Sequence, residues 1–555
     1  MEITFAEYFD YVHHDPVLPS PGAPGAPVAI VGGGPTGLAL ALGLARYGVA
    51  SVVLEADDTV CSGSRAGAIT RRTLEIFERL GVVDPVLAKG FAWSTGRTFL
   101  RDQEVFTLRM PTDDDQKYPP GMSLQQNYVE QYLLDEVERY PDLIEVRWQN
   151  SLTGLEAGPD GVRLSVSTPK GDYSMEAGYV VACDGGRSTV RAELGLEMHG
   201  TTHEGRYVII DIRIDTEGFP IGRRCWFDPP SNPGSTLLMY TKPDNMVRFD
   251  YQLRPEEDAE EAMRPENVLP RVQRHLEMMG VTREWEPVWL SLYRAHAVTL
   301  DDYRHGRVLF AGDAAHLVPI FGVRGMNSSL DDAHNLAWKL ALVVRGVATS
   351  ALLDGYSGER VHAARENLRL ASKGAEFMAP PTAPFRLMRD AVLSLSPGRP
   401  WITSLIDPRQ HSAIPLYDSP LNAFPERSAE FADGPRPGDV LRECPLVLSG
   451  TGTHLTSLLG PHFTALCFTE DGTLSPGLGA VLAELAEGPV PFEARVISRE
   501  APAVPAAHDA SGRLFSMYGA RPGSVYLVRP DGHVSARWLL ADPDELVAAV
   551  RLATV

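Results

Sequence analysis

Gly32, Gly34 and Gly37 stand in the order G-x-G-x-x-G between an apolar run, PVAIV at 27–31, and an alanine- and leucine-rich stretch at 35–47. The first glycine allows a tight turn, the second lets the backbone approach a pyrophosphate, and the third lets the following helix pack on its strand. That helix start offers free N–H groups and a positive dipole end to phosphate. Glu55 follows a second apolar run, SVVL at 51–54, where a carboxylate accepts hydrogen bonds from ribose hydroxyls. Together these residues predict a dinucleotide site.

Two later motifs bear on which dinucleotide it is. CDGGRS at 183–188 follows the run YVVA and leads into a helix carrying Arg191; GDAAH at 312–316 follows RVLFA. Pro319, Gly322, Gly325, Met326 and Asn327 then open another helical stretch. A nicotinamide enzyme needs neither motif, whereas FAD spans the longer site that both would extend.

Elements that place these motifs are legible in outline. Residues 27–54 read as strand, turn, helix and strand, a βαβ unit with a right-handed crossover, and hence a doubly wound parallel sheet. From about 200 to 300 the pattern changes to alternation, in RYVIIDIRID, GSTLLMYT and MVRFDYQL, which predicts an antiparallel sheet with one buried face. In MVRFDYQL the period of two puts Arg248, Asp250 and Gln252 on one face. Tyr293 and His296 in SLYRAHAV fall on opposite faces, so one at most turns to a pocket. Helical periodicity returns in DDAHNLAWKLALVVRG and over 353–377, and a βαβ-like order reappears after 438. The expected division is a flexible N-terminal arm at 1–26, a Rossmann-like FAD-binding domain at 27–200 with a return segment at 301–385, and an antiparallel-sheet substrate domain at 201–300. A connector at 386–437 and a C-terminal α/β domain at 438–555 complete it.

Composition narrows the class. The 555 residues, 44% of them apolar, are enough for two or three cores. With 51 basic and 72 acidic side chains the net charge is −21, which repels a nucleic-acid backbone. Five scattered cysteines without a CxxC argue against a disulfide framework or a zinc ribbon, and no other metal-ligand spacing is visible. The N-terminus lacks the basic and apolar regions of a secretory signal, and no run approaches the roughly 20 apolar residues of a membrane span. A soluble, cytoplasmic protein without a nucleic-acid or membrane partner is expected.

Over about 27–360 the three motifs, in this order, resemble those of the flavin-dependent aromatic hydroxylases of the para-hydroxybenzoate hydroxylase type. The resemblance implies an FAD monooxygenase that takes hydride from NADPH or NADH and hydroxylates a phenolic substrate with O2 through a flavin hydroperoxide. It assigns Gly32, Gly34, Gly37 and Glu55 to the ADP half of FAD, Arg65 to the neighbourhood of the pyrophosphate, and Gln126 of QNYVEQYL to the cofactor; Gln126 also reads as an exposed helix-start glutamine. Asp184 and Gly185 match the family's DG motif, which serves FAD and pyridine nucleotide. Gly312 and Asp313 match its GD motif, whose aspartate binds the ribityl chain.

PIFGVRGMN departs from the family pattern at Ile320 and Val323, implying a stiffer or differently shaped loop beside the flavin. Asn327 is expected as the N-cap of the next helix with Asp331 and Asp332 in its first turn. Arg324 is placed either as a cation near the ring or facing solvent. Arg248 resembles the arginine that sets flavin position, and Asp250 shares its face. Tyr240 and Lys242 fall where the family has a serine and a carboxylate-binding arginine, and lysine is no bidentate equivalent. His296 completes the candidate catalytic set with Arg248, Asp250 and Tyr240, with a structural hydrogen-bonding role as its alternative.

The C-terminal segment resembles the thioredoxin-like tail of the larger phenol and polyketide hydroxylases, and with no CxxC its implied role is packing or contact in a homodimer. A flavin halogenase is disfavoured by the missing WxWxIP stretch. Denitration, decarboxylation or ring opening by the same oxidant stay open, as does a flavin-binding protein that shelters a reactive aromatic ligand.

Overall fold

The computed structural model describes residues 5–554 apart from 21–24, 111, 113–114, 404, 406–412, 426–427, 429 and 503–505. Strand β1 (Ala26–Val31) turns at Gly32 into α1 (Pro35–Ala45), which carries proline in its first turn, and β2 (Ser51–Leu54) closes the βαβ unit. Next come α2 (Arg71–Leu80), β3 (Thr95–Leu100), β4 (Gln103–Arg109), α3 (Gln126–Val137), β5 (Ile144–Arg147) and β6 (Tyr173–Ala182). The long strands β7 (His199–Ile214), β8 (Arg223–Phe227), β9 (Thr236–Lys242) and β10 (Met246–Gln252) follow, then α4 (Pro265–Met278) and β11 (Trp285–Thr299). After β12 (Val308–Phe310) the chain is helical through α5 (Gly325–Val344), α6 (Leu352–Met378) and α7 (Ala383–Leu395). The last domain holds β13 (Phe463–Thr469), α8 (Pro476–Ala486), β14 (Phe492–Ser498), β15 (Val525–Val528), β16 (Val534–Trp538) and α9 (Pro543–Arg551).

The first sheet is parallel at its centre: β1 lies between β2 and β6, and β12 pairs with β6. Val31 is in register with both Leu54 and Ala182, and Ala182 with Phe310. Four segments distant in sequence, at Gly32, Glu55, Asp184 and Gly312, therefore leave the sheet along one carboxyl edge, where open α/β sheets bind ligands.

In the second sheet β11, β7, β10, β9, β8, β3 and β4 are neighbours in that order. Its alternation sorts the faces: Val247, Phe249 and Tyr251 join Ile210, Ile212 and Met239 against α4, while Arg248 and Asp250 point to the opposite side with Asp211 and Tyr240. Burying such apolar side chains contributes roughly 1.5–3 kcal/mol each.

The C-terminal sheet has β13 parallel to β14 and antiparallel to β15, with β16 outside β15. It docks through an apolar interface in which Trp338, Leu342 and Leu352 meet Phe463, Ala465 and Val525. All five cysteines are free, and among the described residues no helix is long and apolar enough to cross a membrane and no cluster of His, Cys, Asp and Glu could hold a metal.

Three boundaries differ from the sequence reading. The hairpin β3–β4 lies within 27–200, yet it joins the second sheet through parallel pairing of β3 with β8. Helix α7 runs across 385/386 and is tied to β4 where the Ser396 hydroxyl donates to the Val105 carbonyl at 3.0 Å. The N-terminal segment, whose prolines suggest a flexible arm, lies on the body: the Ala6 amide donates to the Pro287 carbonyl and that of His14 to the Asp58 carbonyl, while Phe9 packs edge-on against Tyr128.

Below the apolar domain contact runs a buried ionic network. Arg360 Nη1 meets Asp331 at 3.1 Å and its Nε meets Asp332 at 2.6 Å, while Arg72 Nη2 reaches Asp331 at 3.2 Å. Burial raises the Asp331 carboxyl, but Arg72 and Arg360 more than offset this and hold it at about 2. A carboxyl depressed below its unfolded value of about 4 adds stability that is present above that pH and is lost as pH falls through the folded value. Stability is therefore expected to drop between about pH 4 and pH 2, by about 2 kcal/mol for this group. Asp331→Asn should be less stable at neutral pH and flatten that part of the acid-unfolding curve followed by circular dichroism.

Candidate functional site

At the carboxyl edge of the first sheet Gly32 has φ +106°, and a Cβ there would lie 2.4 Å from the Cys183 carbonyl oxygen. A Cβ on Gly37 would lie 2.0 Å from the Gly32 oxygen, so strand, turn and helix touch through bare backbone. Gly34 differs: its Cβ would meet only Glu130, at 4.0 Å, and it opens on free space. The first turn of α1 has neither a side-chain cap nor an acidic residue, which leaves its N–H groups to a ligand. The Glu55 carboxylate accepts from the amides of Gly33 at 2.5 Å and Asp57 at 2.9 Å, and burial raises its pKa.

Gln126, half-buried at the start of α3, binds both ways. Its Oε1 accepts from the Ala66 amide at 3.2 Å and its Nε2 donates to Glu130 at 2.8 Å, while Glu130 also accepts from the Cys61 amide at 2.6 Å. Gln126 and Glu130 thus hold the 61–66 loop that carries Arg65, whose own side chain is exposed. Sequence reading overlooked Glu130, four residues after Gln126 in QNYVEQYL and hence on the same helix face.

Asp184 takes the Val190 amide on Oδ2 at 3.1 Å, and its Oδ1 is buried with no partner among the described residues. Gly185 beside it has φ +78°. The Gly312 amide donates to Asp332 at 3.0 Å, which frees the next residue, Asp313, to face outward; its carboxylate is open to solvent yet walled by protein, and burial raises its pKa against the pull of His316. An unpartnered aspartate oxygen and a walled aspartate supply acceptors for ribose and polyol hydroxyls, and an exposed arginine and a bare glycine turn supply donors for a pyrophosphate. The edge fits FAD.

The following loop runs past buried Pro319 and Gly322, at φ +99°, into α5. Val323, where the family pattern has glycine, keeps a left-handed φ of +60°, a conformation that strains a β-branched residue. Helix α5 starts at Gly325, with half-buried Met326 in its first turn, so Asn327 is not the N-cap. Its Oδ1 instead accepts from the Thr70 amide at 2.9 Å and the Thr73 hydroxyl at 2.7 Å, and its Nδ2 donates to the Ala68 and Val323 carbonyls. Asp331 and Asp332 lie a turn later and serve the ionic network, not the helix dipole. Arg324 is buried and donates to Asn367 on α6 at 2.7 Å, so it does not face solvent; burial lowers its pKa to about 10.

On the second sheet, Arg248 Nε donates to Asp250 at 2.6 Å and its Nη1 to the Arg65 carbonyl at 2.7 Å. That second bond joins the sheet to the 61–66 loop. Asp250 is 1% exposed and lies behind Arg248, so it holds the guanidinium and offers little surface to a ligand. Tyr240, opposite Arg248 on β9, is half-buried, and its hydroxyl has no protein partner among the described residues; burial pushes it to about 12, so it stays protonated near neutral pH. Tyr293 accepts from the Ile320 amide at 3.0 Å and supports the loop. His296 faces the other way, 3.0 Å from the Thr202 hydroxyl on the exposed side, and does not join the site.

Lys242 is not where a substrate carboxylate would meet it. Its ammonium, 1% exposed, binds Asp211 at 3.1 Å and Ser64 at 3.3 Å, and the Tyr8 hydroxyl donates to the same Asp211 oxygen at 2.8 Å. Lys242→Met leaves Asp211 buried with one partner and is expected to destabilise by about 3–5 kcal/mol, seen as a lower urea midpoint. It should leave the ratio of Kd values for carboxylated and uncarboxylated phenols unchanged; selective loss of the carboxylated ligands would place Lys242 against substrate.

A family described as FAD binding domain matches residues 25–371. The chain is 29% identical over 551 residues to a 3-(3-hydroxy-phenyl)propionate/3-hydroxycinnamic acid hydroxylase of Mycolicibacterium smegmatis, covering 96% of this chain and 93% of that relative. A relative of the same description from Klebsiella pneumoniae is 28% identical, over 94% and 93% of the two chains. Among solved structures, the flavin-dependent monooxygenase PieE with FAD and substrate superposes with a TM-score of 0.80 at 22% identity, over 96% of this chain and 100% of that one. Aklavinone-11 hydroxylase with FAD and aklavinone gives 0.77 at 23% identity, over 95% and 99%. These two likenesses speak for the fold.

Proposed function

The chain belongs to the FAD binding domain family, and on that premise we propose that it is an FAD-dependent monooxygenase that hydroxylates a phenolic substrate with NADPH or NADH and O2. The observation that carries the reading is the bond from Arg248 to the Arg65 carbonyl, which sets the polar face of the second sheet against the carboxyl edge of the first. The names of the relatives, which specify hydroxylated phenyl substrates, support the same class.

FAD, when bound, supplies the redox chemistry: it accepts hydride and activates O2. The rest is the work of this chain. Gly32, Gly34, Gly37 and the start of α1 take the pyrophosphate, Glu55 the ribose, and Asp313 the polyol chain, with Arg65, Gln126, Asp184 and Gly185 lining the path. Pro319, Gly322, Gly325, Met326 and Asn327 shape the loop and helix start beside the ring, and Arg324 braces that loop against α6. Arg248, held by Asp250, fixes the relation of cofactor to substrate. The Tyr240 hydroxyl donates to the phenolic oxygen and orients the ring for attack. The buried sheet face above them excludes water, which would otherwise divert the reduced oxygen to hydrogen peroxide.

The test follows aerobic NADPH oxidation by the FAD-loaded protein against a panel of mono- and dihydroxylated aromatics, with hydrogen peroxide measured in the same sample. One phenol should accelerate oxidation several-fold with little peroxide; oxidation that no phenol stimulates, or that yields peroxide stoichiometrically with all of them, overturns the proposal. A homodimer in the cytoplasm goes with this reading; its dimeric state is supported by Leu387 and Met388, which α7 leaves 73% and 55% exposed. Sedimentation equilibrium showing only monomer would remove the dimer.

A further inference from the structure

The C-terminal domain has no role in the chemistry above, yet its β15–β16 turn is driven into the FAD-binding body. Asp531, at the tip, is 1% exposed. Its Oδ2 accepts from Asn335 at 2.9 Å and from the Trp338 indole at 3.2 Å, both on α5, and its backbone carbonyl accepts from Arg72 Nη2 on α2 at 2.5 Å. Arg529, two residues earlier, pairs with Glu359 on α6 at 2.6 Å, and Glu359 in turn binds Lys339 of α5 at 2.6 Å.

The contacts continue toward the cofactor edge. Arg72 also donates to Asp331, Asp331 pairs with Arg360, Arg360 with Asp332, and Asp332 accepts the Gly312 amide. Gly312 immediately precedes Asp313. Every charged side chain on this route is less than a tenth exposed.

Holding the domains together does not call for such a route. The Trp338–Phe463 contact already gives the interface an apolar core, and a buried ion pair adds little net stability over apolar residues of the same shape. What buried, mutually satisfied charges do supply is a fixed geometry. We propose that Asp531 is a positioning residue for the FAD site, acting through Arg72, Asp331, Arg360 and Asp332 on the Gly312–Asp313 turn, so that the C-terminal domain is part of the cofactor site's support. This rests on the FAD reading above.

The test is FAD affinity of the full chain, measured by fluorescence titration, together with the visible spectrum of the bound flavin. Asp531→Asn keeps the backbone carbonyl that Arg72 binds but removes the charge that fixes the turn against Asn335, Trp338 and Arg529, so the carbonyl is no longer held in place for Arg72. It is expected to raise the Kd for FAD about tenfold, within the usual range of coupling between sites, and to shift the visible band. Phe468→Leu, in the separate core on the other face of the C-terminal sheet, should lower Tm without changing Kd or spectrum. If Asp531→Asn does not fold, Arg72→Lys, which keeps the charge but loses the fork shared by Asp331 and Asp531, should give the same weakening. A soluble Asp531 or Arg72 variant that binds FAD with the affinity and spectrum of the unmodified protein overturns the proposal. Failure of the unmodified protein to bind FAD would instead bring down the cofactor reading and this proposal with it.

Discussion

Gly37→Ala is expected to purify without bound FAD, with an affinity lowered at least 100-fold, or about 3 kcal/mol. The new methyl would lie 2.0 Å from the Gly32 carbonyl oxygen, a backbone atom that no rotamer change moves away. Relief comes only by lifting the start of α1 off the turn, which misaligns the N–H groups that would meet the pyrophosphate in the proposed site. The 450 nm absorbance of gel-filtered protein reads the result. Gly358→Ala is the matched control: a Cβ there meets nothing within 4 Å in the helix α6, so flavin content should be unchanged and stability should rise slightly. A Gly37→Ala protein with full flavin content would remove the first turn of α1 from the cofactor site.

Arg248→Ala should have the second large effect, and in two separable parts. It leaves the Asp250 carboxylate buried without its partner, which costs about 3–5 kcal/mol of stability, and it breaks the tie to the Arg65 carbonyl. The double variant Arg248→Leu/Asp250→Leu removes both charges, so it should recover most of that stability. It should not recover function: NADPH oxidation persists, but the peroxide formed per NADPH rises well above that of the unmodified protein. Arg248→Lys, with charge but no fork, should couple better than the double variant and worse than the unmodified protein. If the double variant couples oxidation to product normally, Arg248 serves stability alone.

What the sequence made legible is local. Gly32, Glu55, Asp184 and Asp313 each follow an apolar run directly, so their place at strand ends is set by neighbours in the chain, and parallel register then brings them together. The faces of β10 were likewise fixed by a period of two, which put Arg248 and Asp250 together correctly. The same parity rule separates Tyr293 from His296 but does not say which one turns inward; the structure turns Tyr293 to the loop.

What escaped depends on distant partners. The ammonium of Lys242 matches a ligand position by counting along β9, but Asp211 on β7 and Tyr8 in the N-terminal segment consume it. Nothing periodic marks 5–17 as anchored; the prolines from Pro16 onward read as a loose arm, whereas bonds to residues such as Pro287 and Asp58 and ring contacts with Tyr128 and Trp148 hold it down. Asn327 has a capping residue's chemistry, yet the helix begins two residues earlier and turns its amide toward Thr70 and Thr73. Asp531 sits in a turn sequence, RPDGH, that gives no sign of the five buried partners it acquires from other elements and its own turn.

A monooxygenase of this class puts one atom of O2 into its phenol. The direct measurement is a single-turnover reaction under 18O2: the FAD-loaded protein, reduced by NADPH with the phenol that best stimulates oxidation, is exposed to the labelled gas and the product is weighed by mass spectrometry. The expected product is heavier by one 18O atom, with the unlabelled product absent. A product carrying oxygen from water, or unchanged phenol beside labelled hydrogen peroxide, would contradict it.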